Sequence, residues 1–248
     1  MTGAGPLDAL SKALYIAWKD ARVYYFKAPN FTYGLLMPVS LFLAFSLAGE
    51  MDARLVVSGL PALAVLFGTT SIEAVAIVLE KQTGTFDRLL AAPVSFLTIM
   101  VGKALSGFFF GTALGVAVLV PVALLAGVPV ASPILAVVAI GFSSLCFAAL
   151  GVLVSAYASW VPEAQMVSNL VRFPMTFLAG AFIPFESMPP PLLALARAMP
   201  LTYSVEALRI AVSDPGNVAT YLVDILAMAL FSVALLVVAA EVLKRRLV

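Results

Sequence analysis

Glu73 and Arg172 are ionisable residues set deep inside long apolar runs of a 248-residue chain. A charge at the centre of a lipid-embedded helix costs about 2.5–3.5 kcal/mol on insertion scales, so each needs a compensating role. At about 1.5 Å per residue, Arg172 lies roughly 15 Å above a helix start near Pro162, and Glu73 lies about 10 Å above Glu80. These similar depths allow an intramembrane ion pair, which would either hold two helices together or contact a substrate. Asp224 lies near the end of its apolar run and needs no special account. Other chemistry is scarce. The chain has no histidine, and its one cysteine, Cys146, lies in an apolar run and reads as a small buried residue. Imidazole catalysis, histidine metal ligation, disulfide frameworks and cysteine metal clusters are excluded, and no metal site is expected. No Gly-x-x-x-x-Gly-Lys-Ser/Thr phosphate loop occurs, so the chain does not bind ATP in that way.

The elements that must position these residues are membrane helices. The composition is 63% hydrophobic and 11% charged. A soluble domain carries about 25% charged residues. A spanning helix needs about 20 mostly apolar residues. Six such runs are present, at residues 31–49, 55–79, 105–126, 134–156, 165–183 and 221–243. The second is long enough to tilt or to kink near Gly68. The predicted fold class is therefore an all-α membrane protein with six transmembrane helices, forming one transmembrane domain over residues 1–248. The net charge of +1 gives no reason to expect nucleic acid.

Residues 7–27 precede the first run. Leu7, Leu10, Leu14, Trp18, Ala21 and Tyr25 recur every three or four positions and form one helical face. Pro6 suits the first turn and Pro29 ends the pattern. This predicts an N-terminal interfacial helix, with Trp18 and Tyr25 at headgroup depth. The first six residues carry no basic residue and do not form the start of a cleaved signal peptide. Lys12, Lys19, Arg22, Lys27, Lys81, Arg88, Lys103, Lys244, Arg245 and Arg246 fall on one side of a six-span chain, against Arg54, Arg197 and Arg209 on the other. The positive-inside rule then places both termini in the cytoplasm.

Two connections stand apart. Residues 184–220 form an external helical segment that is long yet apolar. Prolines at 189–191 and 200 frame two short helical patterns, at residues 192–199 and 203–212, which read as external re-entrant helices. Their backbone must be covered by protein or face water. Residues 80–95 form a cytoplasmic segment, EKQTGTFDRLLAAPVS. Gly84 permits a sharp exit from the second span. Thr85 suits an N-cap, with Asp87 and Arg88 behind it. Phe86, Leu89 and Leu90 give the short helix an apolar knob suited to a groove on a partner, and Pro93 ends it. In the third span, Gly107, Gly111 and Gly115 recur at four-residue spacing, which favours close helix packing.

The segment from Glu80 through Thr83, Gly84, Thr85, Asp87, Arg88, Leu89, Leu90 and Pro93 resembles the cytoplasmic signature of type-2 ATP-binding-cassette exporter permeases. That group includes daunorubicin-resistance and nodulation-factor export subunits. Gly102 and Lys103 match the Gly-Lys that opens the third span in that family. Residues 173–189 and 200–209 match a second stretch, and Gln82 departs from the charged residue that many relatives carry. The resemblance covers most of the chain. It implies a coupling helix between spans two and three, formed here by residues 83–90, and short external helices between spans five and six.

The resemblance also implies a transmembrane subunit of an ATP-driven exporter in the plasma membrane. It would pair with a second permease subunit, identical or different, and with cytoplasmic ATPases that carry ATP and Mg. No cofactor is expected on this chain, and it is not itself an enzyme. The scarcity of charge in the spans points to an apolar or amphipathic cargo, such as a drug, a lipid or a lipid-linked glycan. The alternative is a secondary transporter driven by an ion gradient, for which Glu73 with Arg172 is the only candidate ion site.

Overall fold

The computed structural model describes residues 6–25, 36, 38–44, 52–182 and 185–247. Its helices, in chain order, are α1 (Pro6–Asp20), α2 (Ala53–Gln82), α3 (Thr85–Leu90), α4 (Phe96–Ala126), α5 (Pro133–Tyr157), α6 (Val161–Leu178), α7 (Pro190–Arg197), α8 (Pro200–Ser213) and α9 (Val218–Leu247). A π-helical turn, Ala21–Tyr25, continues α1, and a 3-10 turn, Phe185–Ser187, precedes α7. Among the described residues there is no strand.

Four of these helices, α2, α4, α5 and α9, are long and apolar enough to cross a membrane. Most of the run at residues 31–49 lies outside the described residues, of which 36 and 38–44 are helical. The run at 165–183 forms α6, which is shorter and carries Glu163, Gln165, Asn169 and Arg172.

Local chemistry sets the helix ends. The Asp52 carboxylate accepts from Arg54 N at 2.9 Å and caps α2. Ser95 Oγ accepts from Thr98 N at 3.1 Å and caps α4. That cap starts α4 nine residues before the apolar run at 105 and carries Lys103 into the helix. α2 passes Gly68 without a break and instead contains Pro61.

α2 is the buried axis, and every residue from Val57 to Ala74 is buried. It packs against α4, α5, α6 and α8. α9 packs on α5 and α8 and turns Leu222, Leu226, Leu230, Val233 and Val237 outward. That is the face a lipid-contacting helix needs, because no polar group is left facing hydrocarbon. α8 cannot span, but it is buried among α2, α5 and α9. Its last carbonyls, Ala211 O and Val212 O, accept from Ser132 N (2.9 Å) and Ala131 N (3.2 Å) of the α4–α5 loop. The helix end that this fold buries is therefore capped by neighbouring backbone.

α1 lies along α4 at the end of the bundle that also holds α3 and the last turns of α9. Its inner face buries Ala13, Ile16 and Ala17, and its outer face exposes Leu10, Leu14, Tyr15 and Trp18. A Cβ at Gly102 would lie 2.9 Å from both Ala13 O and Ile16 Cβ, so the glycine is what lets α1 approach α4 this closely.

Candidate coupling site

The turn between α2 and α3 depends on Gly84, whose φ of 68° lies in the left-handed region. A side chain there would touch nothing within 4 Å, so it is the backbone angle alone that favours glycine. Gly84 occupies the N-cap position itself. Thr85 is the first helical residue rather than the predicted cap, and its hydroxyl meets that of Thr83 at 3.0 Å. Thr83 N and Oγ1 both donate to Leu79 O at 2.9 Å, which closes the end of α2. α3 ends at Leu90, three residues before Pro93.

The predicted apolar knob divides between one buried side chain and two half-buried ones. Phe86 is fully buried inside this chain, against Ile16, Ile77, Ile99, Met100, Val152, Ala156, Ala239 and Leu243. Leu89 and Leu90 pack on the same cluster. The apolar face of α3 therefore anchors it to α1, α2, α4, α5 and α9. The groove it fills is supplied by its own bundle, which a six-residue pattern does not reveal. The face left outside consists of Thr83, Thr85, Asp87 and Arg88.

Glu80 also differs from its predicted setting. It belongs to α2, one turn before Gly84, and is fully buried. Its carboxylate lies 2.5 Å from Lys103 Nζ on α4 and 2.5 Å from Lys19 Nζ on α1. Asp20 completes the group, at 2.7 Å from Lys103 and 2.9 Å from Lys19. Two carboxylates and two ammonium groups thus form a closed, neutral ring that joins three helices one turn before Gly84. Burial works against the Lys19 charge, but Asp20 and Glu80 outweigh it and hold its pKa above the ordinary lysine value. Sequence reasoning missed the ring because Asp20 and Lys103 lie far apart in the chain. The one available signal was a lysine, Lys103, close to the start of an apolar run.

Glu73 and Arg172 are both fully buried. Arg172 donates to Phe67 O on α2 at 3.0 Å, to Ser71 Oγ on α2, to Asn169 Oδ1 at 2.6 Å and to Ser168 O at 3.2 Å. Its guanidinium lies 4.8 Å from the Phe67 ring centroid. Glu73 accepts from Ser106 Oγ of α4 at 3.4 Å. The structure thus brings Arg172 onto α2 within two residues of Glu73. Gly107, Gly111 and Gly115 face inward within one subunit. Added Cβ atoms would lie 2.5 Å from Ala148 Cβ, 2.5 Å from Thr69 Oγ1 and 2.6 Å from Ile140 Cγ2, respectively. The three glycines therefore allow α4 to sit against α2 and α5.

At the opposite end, Arg197 of α7 pairs with Glu206 of α8 at 2.5 Å. The Arg197 and Arg209 guanidinium groups lie 5.4 and 5.6 Å from the Phe185 ring centroid. Ser143 and Ser204 share a hydrogen bond of 2.6 Å between α5 and α8. These contacts fix the short helices onto the spans.

Four helices long and apolar enough to cross a membrane, with a short helix between the first two, make this a polytopic helical membrane bundle. Over residues 9–212 the sequence matches the ABC-2 type transporter family, and the chain belongs to that family. It is 29% identical over 248 residues to Nodulation protein J of Sinorhizobium fredii (strain NBRC 101917 / NGR234), covering 94% of this chain and 90% of that protein. It is 28% identical over 132 residues to the Inner membrane transport permease YhhJ of Escherichia coli (strain K12). That match covers 52% of this chain, which spans 35% of the length of that relative.

Proposed function

We propose that the chain is the transmembrane subunit of an ATP-driven exporter, coupled through α3 to a separate cytoplasmic ATP-binding-cassette subunit. The observation that carries this reading is the construction of α3. Its apolar side is locked into the bundle at Phe86, its direction is set by Gly84, and its polar side at Asp87 and Arg88 is exposed. A helix held this rigidly transmits a push rather than absorbing it. ATP binding and hydrolysis would shift the permease between two states by binding one state more tightly. ATP and Mg would reside on the partner.

In this reading α3 and both termini are cytoplasmic, and the chain resides in the plasma membrane. The basic residues support that orientation. Lys12, Lys19, Arg22, Lys81, Arg88, Lys103, Lys244, Arg245 and Arg246 gather at the α3 end, while Arg54, Arg197 and Arg209 lie at the other. Residues 31–49 and α6 complete six spans, and α1 lies in the interface with Leu10, Leu14 and Trp18 toward lipid. A second permease subunit completes the transporter, with an apolar or amphipathic cargo. Reconstitution of the chain with its ATPase tests the reading. Transport should require ATP hydrolysis and survive collapse of ion gradients. Transport that proceeds without the ATPase and stops with the gradient would instead establish the secondary-transporter alternative, with Glu73 and Arg172 as its ion site.

A further inference from the structure

The last two residues of α2 do not bind the same neighbours as Glu80. Lys81 Nζ donates to Ser155 O at 2.9 Å and to Ala158 O at 3.0 Å. Gln82 Nε2 donates to Ser159 O at 3.1 Å. Arg246, near the end of α9, donates to Tyr157 O at 3.0 Å and lies 5.3 Å from the Tyr157 ring centroid. All these acceptors belong to the end of α5 and the turn into α6. The last carbonyls of a helix lack intrahelical partners, and cations are favoured there. Capping alone would explain a lysine from any nearby element. The position of these two residues adds something more, because they lead directly into the turn at Thr83 and Gly84 that aims α3.

The grip extends into α6. Ser159 N donates to Glu163 Oε2 at 2.7 Å, fastening the turn to the first turn of α6. Ala74 and Val78 of α2 pack with Val154, Ala158 and Ala164 beside it. Higher up, Arg172 of α6 donates to Phe67 O of α2. α6 is thus joined to α2 at its base and again at mid-height, where it carries Arg172. Glu80 binds α1 and α4, whereas Lys81 and Gln82 bind the end of α5 and the turn that leads into α6. Consecutive residues therefore distribute the end of α2 to opposite sides of the bundle.

We propose that Lys81 and Gln82 are positioning residues that carry displacement of the coupling helix into α6 through the turn at residues 157–160. The proposal rests on the reading of α3 as the coupling helix. If the link is only structural, its loss lowers stability but leaves the response of α6 to nucleotide intact.

The test uses the full chain, copurified with an ATPase identified by its phosphate loop, in a Cys146→Ala background. A single cysteine replaces Met166, which is 66% exposed on α6. Its reaction rate with a small thiol reagent is measured with and without ATP plus orthovanadate. The parent should show a several-fold change on nucleotide trapping. Lys81→Met should abolish that change while assembly and ATP hydrolysis persist. Lys81→Arg, which keeps a charged donor, should restore it. Gln82→Leu, which should reduce the change, decides the matter if Lys81→Met does not fold. A full nucleotide-dependent change in both Lys81→Met and Gln82→Leu overturns the proposal, as does its absence from a parent that hydrolyses ATP. A parent that retains no ATPase overturns the coupling-helix reading, and this proposal with it.

Discussion

Glu80 Oε2 stands 2.5 Å from Lys103 Nζ, and both side chains are fully buried. This contact joins the end of α2 to α4, and Lys19 and Asp20 extend it to α1. Removing one member of a buried pair strands the other and costs about 3–5 kcal/mol. Lys103→Met should therefore lower the thermal unfolding midpoint of the purified protein markedly. Glu80→Gln combined with Lys103→Met leaves the Lys19–Asp20 pair balanced and should recover part of the loss. A double variant no more stable than Lys103→Met alone would contradict the ring.

The same reasoning gives a graded series at Gly84. Its φ of 68° is reached by an alanine at a cost of about 1–2 kcal/mol, and no atom stands in the way of the added methyl group. Gly84→Ala should be mildly destabilising, and Gly84→Asn less so, since asparagine tolerates this region. Gly84→Pro cannot adopt the angle, because proline fixes φ near −65°. It should misdirect α3 and abolish ATPase copurification, while Gly84→Asn retains it.

Close packing by the α4 glycines makes a steric prediction. A methyl group at Gly111 would lie 2.5 Å from Thr69 Oγ1 and 2.7 Å from Ser144 Oγ. Gly111→Ala should cost about 1–3 kcal/mol by overpacking. Thr69→Ala or Ser144→Ala in the same chain, each of which removes a clashing hydroxyl oxygen, should relieve part of that cost, as read from unfolding midpoints.

Arg172 and Glu73 both meet α2 near its midpoint, from α6 and from α2 itself. If they share charge compensation, Arg172→Gln or Glu73→Gln alone should destabilise the fold more than the double variant, because a lone buried charge is the costly state. A double-mutant cycle measures the coupling, and strictly additive losses would refute it.

The parts of this architecture legible in the sequence were those with local causes. Apolar runs long enough to span located α2, α4, α5 and α9, and a Thr-Gly-Thr turn after such a run located the left-handed Gly84. Pro189, Pro190 and Pro191 with Pro200 bracketed α7 and marked the start of α8. What was not legible depends on partners distant in the chain. The side to which Phe86 turns is decided by Ile16, Ile99, Met100 and Leu243, which lie on other elements. The charge on Glu80 is compensated by residues 61 and 23 positions away, Lys19 and Lys103. Periodicity identifies an amphipathic helix but not which of its faces meets its own bundle. Glu80 and Phe86, grouped in the sequence with Asp87 and Arg88, are buried within the chain, whereas Asp87 and Arg88 are exposed.

The central claim is that the exposed face of α3 bears on the ATPase, and cross-linking from Arg88 tests it directly. In a Cys146→Ala background, a single cysteine at Arg88, extended by a photoactivatable thiol reagent, should give a covalent adduct with the ATPase in the purified complex. A cysteine at Leu230, exposed near the middle of α9, should give none. An intact permease–ATPase complex without an adduct from Arg88, or with equal adducts from both positions, would contradict the account.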